Sequence, residues 1–152
     1  MDDLIDLNRR IAEHWLGDLD ADQEMYLSYV PVCLGELTQS AAELAHVLTR
    51  SQQKHRNALP VANLNRQYLN FARLAAKDAV AGKLDMLVRV GINLEQAKVL
   101  ANLTNEKLER LAVGWDGPII QFASHVFKRG AALDPRAAKI HATAFILTQF
   151  SG

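Results

Sequence analysis

The chain has 152 residues, 49% of them hydrophobic and 22% charged, a mixture too ordinary for wholesale disorder and long enough to bury a substantial core. Its 17 basic and 17 acidic residues cancel to a net charge of zero. One cysteine, Cys33, excludes an internal disulfide framework, suits a reducing cytoplasm and leaves only a bridge between chains open.

Nearly every segment repeats at the helical period and none alternates as a half-buried strand would, so an all-α fold of compact helical hairpins is expected. The first helix should run from Asp3 to Leu16, with Leu4, Leu7, Ile11 and Trp15 on one face. Its acidic first turn suits the helix dipole, and Gly17 is the stop. A second helical piece begins near Ala21 and is bent or ended by Pro31, which lacks a backbone donor. The uncharged run from Met25 to Gly35 is about half a bilayer span, so no transmembrane helix is expected. The acidic N-terminus is unlike the basic start of a secretory signal, which points to the cytoplasm.

From Leu34 the residues Leu34, Leu37, Ala41, Leu44 and Leu48 alternate at three and four steps, a seam suited to packing on another helix. Asn57 to Pro60 breaks that pattern, and a longer helix from about Val61 to Gly82 should fold back on the first as an antiparallel hairpin. A short piece then carries Leu84, Leu87 and Val88 up to Gly91. Asn93 followed by Gln96 reads as a capping box that opens a helix, and Thr104 caps another that stops at Gly114. Asp116, Gly117 and Pro118 make a turn, with the proline at the first position of a helix ending at Gly130. Asp134 and Pro135 start a last helix whose Ile140, Ala144, Phe145, Ile146, Leu147 and Phe150 leave it apolar on nearly every side, which implies a partner or a second copy. The natural division is an acidic N-terminal extension over 1–60, a helical core over 61–130 and a C-terminal apolar helix over 131–152.

The zero net charge hides an asymmetry. Residues 1–43 hold ten acidic residues against Arg9 and Arg10, leaving 15 basic and 7 acidic residues in the remainder. From Leu44 to Lys77 there is no carboxylate, while Arg50, Lys54, Arg56, Arg66, Arg73 and Lys77 are all present. Arg66, Asn70, Arg73 and Lys77 form one stripe at 3.6 residues per turn. A solvated helix face usually mixes signs, so this stripe points to a polyanion, with the chain's own acidic segment or another subunit's as the competing partner.

Catalysis is not expected. His14, His46, His55, His125 and His141 are scattered without metal-ligand spacing, and isolated histidines are mostly ordinary surface or helix-face residues. No phosphate loop, nucleophile elbow or paired-carboxylate motif occurs. The capped pair of short helices from Asn93 to Val113 invites a helix-turn-helix reading. Its second helix, however, carries Glu106, Lys107, Glu109 and Arg110, which cancel, and packing explains Leu100, Leu103, Leu108 and Leu111 without DNA.

Asn65, Tyr68, Leu69, Ala72 and Asp78, the run Arg89-Val90-Gly91-Ile92-Asn93, and then Leu100-Ala101, Leu103-Thr104 and Leu111-Ala112 make the stretch of about residues 64–122 resemble the FlhD family of flagellar transcriptional activator subunits. The resemblance implies an all-α, interlocked homodimer that joins a zinc-bearing FlhC-like subunit, binds promoter DNA and recruits RNA polymerase, at flagellar or conjugative-transfer operons. Zinc is then expected in the partner only, with no cofactor in this chain. The family's dimer-linking cysteine corresponds to Ile119 or Ile120 here, so that bridge is missing.

The expectation is therefore a cytoplasmic DNA-binding activator subunit and not an enzyme, with no membrane association. Arg50, Lys54, Arg56, Arg66, Arg73 and Lys77 would contact phosphates. Leu94, Leu100, Leu103, Leu108, Leu111, Ile140, Phe145, Leu147 and Phe150 would build dimer or partner contacts. The alternative is a helical protein-binding adaptor or anti-activator with no DNA contact.

Overall fold

A computed structural model of the chain describes residues 2–50 and 56–144. In chain order the elements are α1 (Asp2–Leu16), α2 (Ala21–Leu27), β1 (Gly35–Leu37), α3 (Ala41–Thr49), α4 (Leu59–Val80), α5 (Asp85–Val90), α6 (Leu94–Ala101), α7 (Asn105–Gly114), β2 (Ile120–Phe122), α8 (Ser124–Ala131) and α9 (Pro135–Thr143). The protein is predominantly helical, as its periodicity predicts, but β1 and β2 pair into a small two-stranded sheet that the sequence did not announce. Among the described residues no helix is long and apolar enough to cross a membrane.

The helix starts follow their caps. Asp20, Ser40 and Asn93 each close a capping box with the residue three positions on, and the side chains of Thr104 and Asp134 each accept a backbone hydrogen bond from N3. Gly91 ends α5 in the left-handed region at φ 76°, a conformation that favours glycine.

Two expectations fail at chain reversals. The seam from Leu34 to Leu48 is not one helix, because the Ser40–Glu43 box starts α3 at Ala41 and leaves Leu34 buried just before β1 and Leu37 buried on it. α3 then packs on α6 and α7, so the expected hairpin with α4 is replaced by a different pairing. Pro118 does not open a helix either. Gly117 turns the chain at φ 83°, and the β-branched Ile119 and Ile120 continue into β2.

The chain divides into two compact units. The first comprises Met1–Gly35 with Phe122–Gly152, and the second is Glu36–Gln121. Unit 1 joins the two chain ends: α1 packs on α2 and α8, and α9 on α2 and α8. Its interior holds Leu7, Ile11, Tyr26, Leu27 and Phe127, with ring centroids 5.4 Å apart for Tyr26–Phe127 and 5.6 Å for Phe122–Phe127. Asn8, fully buried, donates from Nδ2 to Val32 O at 2.9 Å and accepts from Leu34 N at 2.8 Å, which fixes the extended stretch before β1.

Unit 2 is built around α4. Its buried face, Ala62, Leu64, Asn65, Tyr68, Leu69, Ala72, Ala75, Ala76 and Ala79, recurs at helical spacing. The alanines leave room for α6 and α7 to approach, and Leu100, Leu108 and Leu111 fill the space between. Burying each of those leucines stabilises the unit by roughly 2 kcal/mol.

Candidate nucleic-acid interface

The outward side of α4 carries Arg66, Asn70, Arg73 and Lys77 in one stripe, as the spacing predicts. The structure nevertheless brings a carboxylate to it from far along the chain. Arg66 donates from Nε to Glu109 Oε2 at 2.7 Å and from Nη2 to Glu109 Oε1 at 2.6 Å, a bidentate pair between α4 and α7. Its Nη1 donates to Asn63 Oδ1 at 2.5 Å. These hydrogen bonds hold the Glu109 carboxyl below its ordinary range, with the charges of Arg66 and Arg56 adding to the effect, and they raise Arg66 in turn. The side chains are 32% and 48% exposed, so the pair contributes less than about 1 kcal/mol.

Arg73 is engaged as well. Its Nη1 donates to Leu103 O at 3.3 Å and Asn105 Oδ1 at 3.0 Å, and its Nη2 to Asn70 Oδ1 at 3.0 Å, which ties α4 to the α6–α7 turn. Two of the six expected phosphate contacts are thus occupied by the chain itself. Lys77 is exposed, with no ion pair among the described residues, and Arg56 is exposed close enough to act on Glu109. Arg50 is not on α4 but at the C-terminal end of α3. There it lines an open cleft of about 340 Å³ with Ala42, Glu43, His46, Val47 and Trp115. Lys54 lies outside the described residues.

The expected partner surface also changes. Leu100, Leu103, Leu108 and Leu111 are at most 5% exposed and form unit 2's own core, because α4 supplies the apolar face they need. Leu94 is 38% exposed and Ile140, in unit 1, 65%; Phe145, Leu147 and Phe150 lie outside the described residues. Cys33 is sealed in unit 1, where burial pushes its thiol up to about 12, so it is a neutral group ill suited to bridging chains. Among the described residues no group of three or more histidine, cysteine or acidic side chains is placed to hold a metal ion.

Sequence reasoning missed the side-chain amides that hold the site's framework, Asn65 and Gln96 buried and Asn57 half-buried. Asn65 donates from Nδ2 to Ala112 O and Gly117 O, both at 3.1 Å, and accepts from Ile119 N at 2.8 Å. Asn57 donates to Ala112 O at 3.0 Å and to Trp115 O, and accepts from Gly117 N at 2.9 Å. Gln96, besides its capping role, donates to Leu37 O at 3.2 Å and Gln39 O at 2.6 Å. Asn65 inside an alanine-rich apolar face was the one available signal, since a buried amide requires partners.

No protein-family model, curated protein or solved structure matches this chain.

Proposed function

We propose that the chain is a DNA-contacting subunit of a transcriptional activator, FlhD-like, acting with a zinc-bearing FlhC-like partner at promoters of flagellar or conjugative-transfer operons. The reading draws on the FlhD-like residues, which run from α4 through α7 within one unit. The observation that carries it is charge. Unit 2 holds 11 basic and 8 acidic residues, and Arg56, Lys77, Lys83 and Lys107 are all exposed on it. Such groups position phosphates and confer salt-dependent affinity more than sequence choice.

The test is a duplex-retention assay on the complex formed with the co-expressed partner, across a salt series. Arg56→Glu with Lys77→Glu should weaken binding to every sequence and reduce the salt slope by about two, one for each phosphate contact removed. An unchanged slope overturns the reading.

A second reading is a helical adaptor or anti-activator that binds protein alone. It is favoured by the internal engagement of Arg66 and Arg73, and by Leu74, Leu84 and Val88, which are 66%, 56% and 45% exposed. A co-purifying partner with full complex formation and no duplex retention selects it.

A further inference from the structure

Arg66 and Arg73 each make three hydrogen bonds on the outward face of α4, but only Arg66 meets a carboxylate, and that partner has the geometry of a ligand. Two carboxylate oxygens of Glu109 meet Nε and Nη2 side by side, the arrangement in which a guanidinium grips two oxygens of a phosphate. Arg56, exposed near the same carboxylate, adds its charge to the field that keeps Glu109 ionised. The pair is not needed to join α4 to α7. Asn65 already bonds Ala112, Arg73 bonds Asn105, and Leu108 and Leu111 are buried at that interface. Both partners remain substantially exposed, so a row of phosphates can compete for the guanidinium.

We propose that Glu109 is a built-in substitute for a nucleic-acid phosphate, which occupies Arg66 until a duplex displaces it and thereby holds down nonspecific binding. This rests on the DNA-contact reading above. Glu109 makes the duplex exchange one anion for another at Arg66, which removes one cation from the salt-dependent count and lowers affinity for any sequence alike.

Glu106 supplies the control. It is on the same helix, carries the same charge and sits 3.8 Å from Arg110. Affinity of the full chain in its complex for a random-sequence duplex, measured over a salt series, separates the cases. Glu109→Gln should bind about tenfold more tightly at low salt and steepen the salt slope by about one. Glu106→Gln should leave the slope unchanged. In an Arg66→Gln background, Glu109→Gln should no longer steepen it. Glu109→Ala must repeat the Glu109→Gln result, which guards against a peculiarity of one side chain. Equal slopes for Glu109→Gln and Glu106→Gln, with the wild type retaining duplex, overturn the inference and leave the DNA-contact reading standing. No retention by any variant overturns both.

Discussion

Unit 1 and unit 2 each hold a non-helical stretch of backbone with side-chain amides, but around different cores. In unit 1 a single asparagine, Asn8, fixes Val32 and Leu34 beside an interior built on Tyr26, Phe122 and Phe127. In unit 2 two asparagines, Asn57 and Asn65, share the turn from Ala112 to Ile119 beside an alanine-faced helix. Aromatic rings fill space at a distance, whereas alanines require close backbone approach and hence tighter control of the turn that follows. The units also differ in charge, 6 basic against 9 acidic residues in the first and 11 against 8 in the second. Chain segregation of charge therefore survives folding as a difference between units, while inside unit 2 Glu109 still reaches a stripe that lies within the carboxylate-free run from Leu44 to Lys77.

The amide comparison is most sharply tested by truncation. Asn65→Ala removes the sole described side-chain partner of Ile119 N and weakens the hold on Ala112 and Gly117, and should destabilise unit 2 by about 3 kcal/mol. Asn8→Ala, which leaves Val32 O and Leu34 N without that partner, should cost unit 1 about 2 kcal/mol. Chemical denaturation read by hydrogen exchange assigns each loss to its unit. Equal protection loss across both units after either change would show that the two do not carry separate stabilities.

The packing of unit 1 has its own weak point. A Cβ at Gly130 would collide with His141 Nδ1 and the Tyr26 ring, so Gly130→Ala should destabilise this unit by about 2 kcal/mol and leave unit 2 unchanged. At the same place the Tyr26 hydroxyl and His141 Nδ1 are hydrogen-bonded at 2.5 Å. Burial pushes Tyr26 up to about 12, and burial followed by the nearby Arg129 charge lowers His141 below its ordinary 6.5. As pH falls, the unfolded chain takes up the His141 proton before the folded one does. This contribution is thus full above about pH 6.5 and drains away as the pH falls below it. His141→Gln should flatten that slope in urea titrations at stepped pH, and a slope that persists would assign it to another group.

What was legible in the sequence was mostly local. The box at Asn93–Gln96, the cap at Asp134, the stop at Gly91 and the periodicity of α4 act over a few residues, and the helices appear where these signals put them. The joining of the two chain ends in unit 1 and the pairing of β1 with β2 depend on contacts about a hundred residues apart, which no short-range pattern encodes. The candidate site shows both sides of this. The stripe was readable from spacing, but Glu109 lies 43 residues from Arg66 in sequence and meets it only because α7 packs on α4. Likewise the burial of Leu100, Leu103, Leu108 and Leu111 within unit 2 depends on the alanine face of α4, which lies well before them in the sequence.

The smallest expected effect separates a free surface from a hidden one. Leu74 is 66% exposed on α4, two residues from Ala72, which is fully buried on the face that receives α6 and α7. Leu74→Ser should change the stability of the isolated chain by less than about 0.5 kcal/mol, whereas Ala72→Leu should cost about 1–3 kcal/mol through overpacking. The same Leu74→Ser variant in the partner complex reports on the adaptor reading, since an apolar residue covered by a partner loses binding when made polar. A stability loss above about 1 kcal/mol in the isolated chain would instead mean that this side of α4 is covered by the chain itself, and the face offered to partners would then have to be sought at Leu84 and Val88 on the neighbouring helix.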